Sequence, residues 1–127
     1  MLRIHVTRGP TSMGDDQDDH PWDLTATSLT TLRAFLRRTV RRSYLPMGWD
    51  VDWLMWIWGR AGDPRRAVAL LHGAKGRDRP TSIDTGPTFD LSARLLSLAQ
   101  PGEDGVLYVS FQFDPQRYGP DRMPQLG

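Results

Sequence analysis

The stretch Trp49-Asp50-Val51-Asp52-Trp53-Leu54-Met55-Trp56-Ile57-Trp58-Gly59 holds four of the chain's five tryptophans. Trp49, Val51, Trp53, Met55 and Ile57 alternate on one side. Asp50 and Asp52 open the other side, which turns apolar at Leu54, Trp56 and Trp58. A period of two built from bulky aromatic side chains suits a pleated surface, so the stretch predicts a strand rather than a helix. Its second half is apolar on both sides, and both faces need cover. One face can be covered within the chain. Leu54, Trp56 and Trp58 are then the candidate interface, because a contiguous exposed aromatic patch marks an interaction site and two-fold pairing is the commonest way to hide one.

Outward from this strand, Gly62, Asp63 and Pro64 form a turn signal, and Arg66–His72 reads as the returning arm of a hairpin. Upstream, Leu2, Ile4 and Val6 alternate with Arg3, His5 and Thr7, which predicts a strand near residues 2–7. Leu29, Leu32, Leu36 and Val40, with Phe35, recur at helical spacing and predict a helix over 28–43, with Thr27 or Ser28 as its cap and Pro46 and Gly48 as its stop. Downstream, Asp90 can cap a second helix over 90–99 carrying Leu91, Leu95 and Leu98. Leu107, Val109, Phe111 and Phe113 line one side of a last strand near 106–113. The order strand, helix, strand, strand, helix, strand predicts an α+β, ferredoxin-like βαββαβ fold, an antiparallel sheet with two helices on one face. Residues 1–115 form a single domain in this reading, with an acidic loop at 11–21 and a long loop at 73–88. The Pro-rich tail at 116–127 is expected to be irregular.

A chain of 127 residues fits one domain, and a hydrophobic content of 39% excludes wholesale disorder. The absence of cysteine excludes a disulfide framework and a thiolate metal site. No run approaches the roughly 20 apolar residues of a membrane-spanning helix, and the N-terminus carries no signal-peptide pattern, so no membrane partner and an intracellular location are expected. A net charge of +1 exerts no global pull on nucleic acid. Lys75 is the only lysine among 16 basic residues, a bias that fits a GC-rich coding sequence and also suits an interface, since arginine pairs bidentately and stacks.

Candidate chemistry is sparse. Asp15, Asp16, Asp18 and Asp19 lack the spacing of a calcium loop and read as a solvated segment. His5, His20 and His72 lack zinc-site spacing. Gly73-Ala74-Lys75-Gly76-Arg77 has the wrong spacing for a phosphate loop and is followed by Asp78-Arg79-Pro80, which cannot open a helix well. Neither a nucleophile elbow nor a dinucleotide fingerprint occurs. Arg33, Arg37 and Arg41 form one i,i+4 row and Arg38 and Arg42 another, a basic patch read here as a solvated helix face or one paired with the Asp-rich loop just upstream, with nucleic acid not the expected partner. No catalytic residue, metal or cofactor is therefore expected. If the chain were a small dimeric ferredoxin-like enzyme, His72 and Tyr108 would be the residues to test.

Leu32-Arg33-Ala34-Phe35-Leu36-Arg37-Arg38, then Tyr44-Leu45-Pro46-Met47, resembles the helix and its exit in the adenovirus early-region-four open reading frame three family. Met1-Leu2-Arg3-Ile4 and Phe113-Asp114 match that family's opening strand and the end of its late strand. The resemblance implies a non-enzymatic viral protein that dimerises, works in the host nucleus and sequesters host antiviral proteins. Gln116–Gly127 is polar and Pro-rich where the family's tail is apolar and supports polymerisation, so dimerisation carries over and filament formation does not. A bacterial or phage antagonist, cytoplasmic and acting as a toxin-immunity or defence-inhibitor protein, is the competing interaction reading. Its binding surface would be Asp15–Asp19 with Trp56 and Trp58.

Overall fold

The computed structural model describes residues 1–9, 20–46, 51–60, 64–86 and 90–114, with Asp114 described by its backbone alone. Most of the acidic loop, Trp49 and Asp50, the Gly62–Asp63 turn, residues 87–89 and the Pro-rich tail lie outside the described residues. The elements are β1 (Leu2–Arg8), β2 (Trp22–Ala26), α1 (Leu32–Arg41), β3 (Asp52–Trp58), β4 (Arg66–His72), β5 (Ser82–Asp84), α2 (Leu95–Leu98) and β6 (Val106–Asp114). They build one six-stranded sheet in the order β2-β1-β6-β3-β4-β5. No helix among the described residues is long and apolar enough to cross a membrane.

This sheet corrects the ferredoxin-like expectation. That topology needs the chain to leave β1 directly into a crossover helix. Here it turns back first, and β2 pairs antiparallel with β1, Leu24 opposite Ile4 and Trp22 opposite Val6. With one edge of β1 taken by β2, the other edge receives β6, which runs parallel to it. The sheet is therefore mixed, not antiparallel. β3 lies between β6 and β4, antiparallel to both, with a register shift against β4 between Met55 and Trp56. A second unforeseen strand, β5, adds three residues to the outer edge of β4.

The helices are shorter than their spacing predicts. Leu29 is 60% exposed, and α1 starts only at Leu32, where Thr31 Oγ1 accepts a hydrogen bond from the Ala34 N–H at 3.2 Å. The first free N–H groups of the helix are satisfied from elsewhere. Leu32 N–H donates to the Ala93 carbonyl at 2.8 Å and Arg33 N–H to the Leu91 carbonyl at 2.9 Å. Residues 90–94 therefore serve α1 instead of forming their own helix, and α2 shrinks to Leu95–Leu98. Asp90 does accept from the Ser92 N–H, at 2.9 Å, but it closes a turn and not a helix start. Ser43, with φ +55°, ends the turn that follows α1.

Strand alternation decides where the core sits. Ile4 and Val6 of β1, Trp53, Met55 and Ile57 of β3, and Leu107, Val109 and Phe111 of β6 share one cluster with Leu32, Phe35 and Leu36 of α1 and Leu95 and Leu98 of α2. The Phe35 and Phe111 rings lie parallel at 6.4 Å. Tyr44 packs between Trp22 at 5.3 Å and Phe111 at 6.3 Å, which extends the core over β2. The other residues of each strand face the opposite way, and that second face positions the site.

Candidate functional site

Across the face turned away from α1, paired positions of successive strands line up. Asp23 of β2 stands opposite His5 of β1, His5 opposite Tyr108 of β6, and Tyr108 opposite Trp58 of β3. His5 Nδ1 and Asp23 Oδ1 are hydrogen-bonded at 2.7 Å. The His5 ring meets Tyr108 edge-on at 5.9 Å and 71°. Trp58 stacks flat on Tyr108 at 5.7 Å and 13°. The guanidinium of Arg65, just before β4, caps the outer face of Trp58 at 4.2 Å. The result is a continuous ladder, Asp23–His5–Tyr108–Trp58–Arg65, crossing four strands with a carboxylate at one end and a cation at the other.

Tyr108 is fixed from below as well. Its hydroxyl donates to Asp104 Oδ2 at 2.6 Å, while Asp104 Oδ1 accepts from the Val106 N–H at 3.0 Å. The Tyr108 hydrogen bond, followed by the Val106 N–H, holds the Asp104 carboxyl below its ordinary value, and the same bond raises the Tyr108 phenol above its own. Arg3 donates to the Asp104 backbone carbonyl, which ties the turn before β6 to β1. The ring is thus held in one orientation for stacking rather than free to offer its hydroxyl.

The three residues singled out on β3 fare differently. Leu54, expected at the interface, is instead 1% exposed and enclosed with Ala67 and Leu70. Trp56 packs against that small cluster, half-buried, and donates its indole N–H to Gln112 Oε1 at 3.2 Å. Trp58 is half-buried in the ladder. Trp56, Arg65, Ser110 and Gln112, with Gly9, line a shallow depression of about 470 Å³ beside it. The ladder partners His5, Asp23 and Arg65 were missed by sequence reasoning. The alternation Trp22, Leu24, Ala26 was the available signal for β2, and hence for Asp23.

His72 and Tyr108 do not come together. On β3, His72 is paired with Asp52 and Tyr108 with Trp58, six residues apart, which is about 20 Å at the rise of a strand. His72 Nδ1 lies 3.2 Å from Asp52 Oδ1, and its Nε2 lies 2.6 Å from Asp84 Oδ2. Both ring nitrogens are thereby engaged, and the contact pins β5 to β3 and β4. Among the described residues no three His, Asp or Glu side chains form a metal-binding group.

The basic helix divides into its two rows. Arg38 donates to the Thr25 carbonyl at 2.9 Å and Arg42 lies over the Trp22 ring at 4.7 Å, so this row fastens α1 to β2. Arg33, Arg37 and Arg41 are exposed and face Arg79 across a groove of about 550 Å³. Comparison with protein families, with curated proteins and with solved structures finds no match to this chain.

Proposed function

We propose that this protein is a non-enzymatic interaction protein that self-associates through the part of its sheet that carries the ladder and uses the assembled form to hold a partner protein. The observation carrying this reading is the Asp23–His5–Tyr108–Trp58–Arg65 ladder. Its aromatic middle suits the buried centre of an interface, where tryptophan and tyrosine dominate binding energy. Its ends have opposite charge, and the Asp23 side chain is 80% exposed. A second copy laid on this face about a two-fold axis, with the ladders antiparallel, sets each Arg65 against the partner copy's Asp23.

The enzyme reading has less support, because an imidazole with both nitrogens hydrogen-bonded to carboxylates has none to offer a substrate. Capture of a host antiviral protein in the nucleus rests on the resemblance of α1 and its exit to the adenovirus family. Nuclear puncta on expression in mammalian cells are the outcome that reading requires.

Light scattering coupled to size-exclusion chromatography tests self-association. The unaltered chain should run as a dimer at micromolar concentration. Arg65→Asp should shift it to monomer, and Asp23→Arg combined with Arg65→Asp should restore the dimer. A monomeric parent, or a dimer indifferent to Arg65→Asp, overturns the proposal.

A further inference from the structure

The groove on the helix side of the sheet has a composition that self-association through the ladder does not use. One wall is α1, which presents Arg33, Arg37 and Arg41 at intervals of four residues, about 6 Å along the helix axis. The other wall is the segment before and within β5, with Arg79, Pro80 and Ile83, and Leu91 closes one side. Between the walls lie Leu36 and half-buried Val40. The groove is therefore an apolar strip bordered by four exposed guanidiniums.

None of the four arginines has an ion-pair partner among the described residues. Asp90 feels the charge of Arg33, but its carboxylate is held mainly by Ser92. Four like charges around one groove repel one another. The arrangement suits an external anion that also carries apolar surface.

We propose that this groove docks an acidic amphipathic peptide segment of a partner protein, with carboxylates one helical turn apart flanking an apolar side chain. Arginine's planar fork binds carboxylates bidentately, and the 6 Å interval of the Arg33–Arg37–Arg41 row matches the interval of Glu residues at i and i+4 of a helix. The apolar side chain sits on Val40 and Ile83, in the manner of a helix laid in a groove. A single-stranded nucleic acid fits less well, because such strands are held by stacking on aromatic side chains and none of the described residues lining the groove is aromatic. A small monocarboxylate would engage at most one or two of the four arginines.

Fluorescence anisotropy at about 150 mM salt, where exposed charges are screened beyond about 8 Å, is the test. The probes are a panel of labelled helical peptides with two Glu four residues apart and Leu, Ile, Phe or Met between them, the same peptides with Gln for Glu, and an oligothymidine of equal charge. At least one acidic peptide should bind saturably, and its Gln counterpart should bind at least about tenfold more weakly. Arg37→Ala on one wall and Arg79→Ala on the other should each weaken binding by a similar factor, with circular dichroism unchanged. Two variants on separate elements keep the result independent of any local unfolding of one wall. Absence of saturable binding by every acidic peptide, equal binding by the Gln peptides or by both variants, or tighter binding of the oligothymidine overturns the proposal.

Discussion

The indole of Trp58 lies flat against the phenol of Tyr108, 5.7 Å away and 13° from parallel, at directly paired positions of β3 and β6. Offset-parallel rings at this distance attract beyond the area they bury. The pair sits where the end of β3 meets β6, so whatever covers this part of the face meets a preformed aromatic surface whose orientation is fixed by Asp104 and Arg65.

The Tyr108–Asp104 bond has a definite pH signature. Asp104 is held below its ordinary value of 3.8, so its contribution is fully present above 3.8 and is lost as pH falls through the lowered value. Tyr108 is raised above 10.0, so its contribution is fully present below 10.0 and is lost as pH rises through the raised value. Difference titration of phenolate absorbance between the parent and Tyr108→Phe should show a midpoint above 10.0. Asp104→Ala should bring that midpoint back toward 10.0, and no change would mean the bond is not formed in solution.

Gly59 and Gly76 should respond differently to alanine. A Cβ on Gly59 would lie 2.1 Å from the Gln100 carbonyl oxygen, and that carbonyl also accepts the Arg60 N–H at 2.9 Å, so the backbone must give way. Gly59→Ala should cost about 1–3 kcal/mol or more in urea denaturation, as overpacking does. Gly76 has φ +80° with nothing within 4 Å, so only left-handed backbone strain of about 1–2 kcal/mol is expected there. Equal tolerance at both sites would contradict the close approach of residues 59 and 100.

The start of α1 can be located by substitution. Thr31→Ala removes the side-chain acceptor of the Ala34 N–H and should destabilise the fold by about 1 kcal/mol. Ser28→Ala, three residues earlier on an exposed turn, should be close to neutral. The reverse ranking in thermal denaturation would move the cap back to where sequence spacing alone suggests it.

Phe35 is fully buried, parallel to Phe111 at the contact between α1 and the central strand β6. Phe35→Ala should lower unfolding free energy by about 3–5 kcal/mol, a large share of what a domain of this size possesses. Phe35→Leu should recover much of that loss, since it restores most of the volume.

Local periodicity was enough to read β1, β3, β4, β6 and the middle of α1, because alternation over five to seven residues and a three-and-four spacing are properties of the chain itself. It also divided the Trp-rich stretch correctly into a Trp53–Met55 face and a Leu54–Trp56–Trp58 face, since side chains on a strand can point only two ways. Other features were not local. Trp22, Leu24 and Ala26 alternate with Asp23 and Thr25, but the place of this segment beside β1 follows only from their pairing. Residues 90–94 have helical spacing, yet their carbonyls are more valuable to the open first turn of α1 than to a helix of their own. The parallel pairing of Arg3 with Val106 joins residues about a hundred positions apart, which no short-range pattern encodes. The ladder inherits this dependence. His5, Tyr108, Trp58 and Arg65 stand in line only because β1, β6 and β3 are neighbours in one register. Likewise, the sequence shows two rows of arginine, but β2 decides that Arg38 and Arg42 are fastened, while Arg79, brought opposite by the β4–β5 pairing, decides that Arg33, Arg37 and Arg41 border a groove.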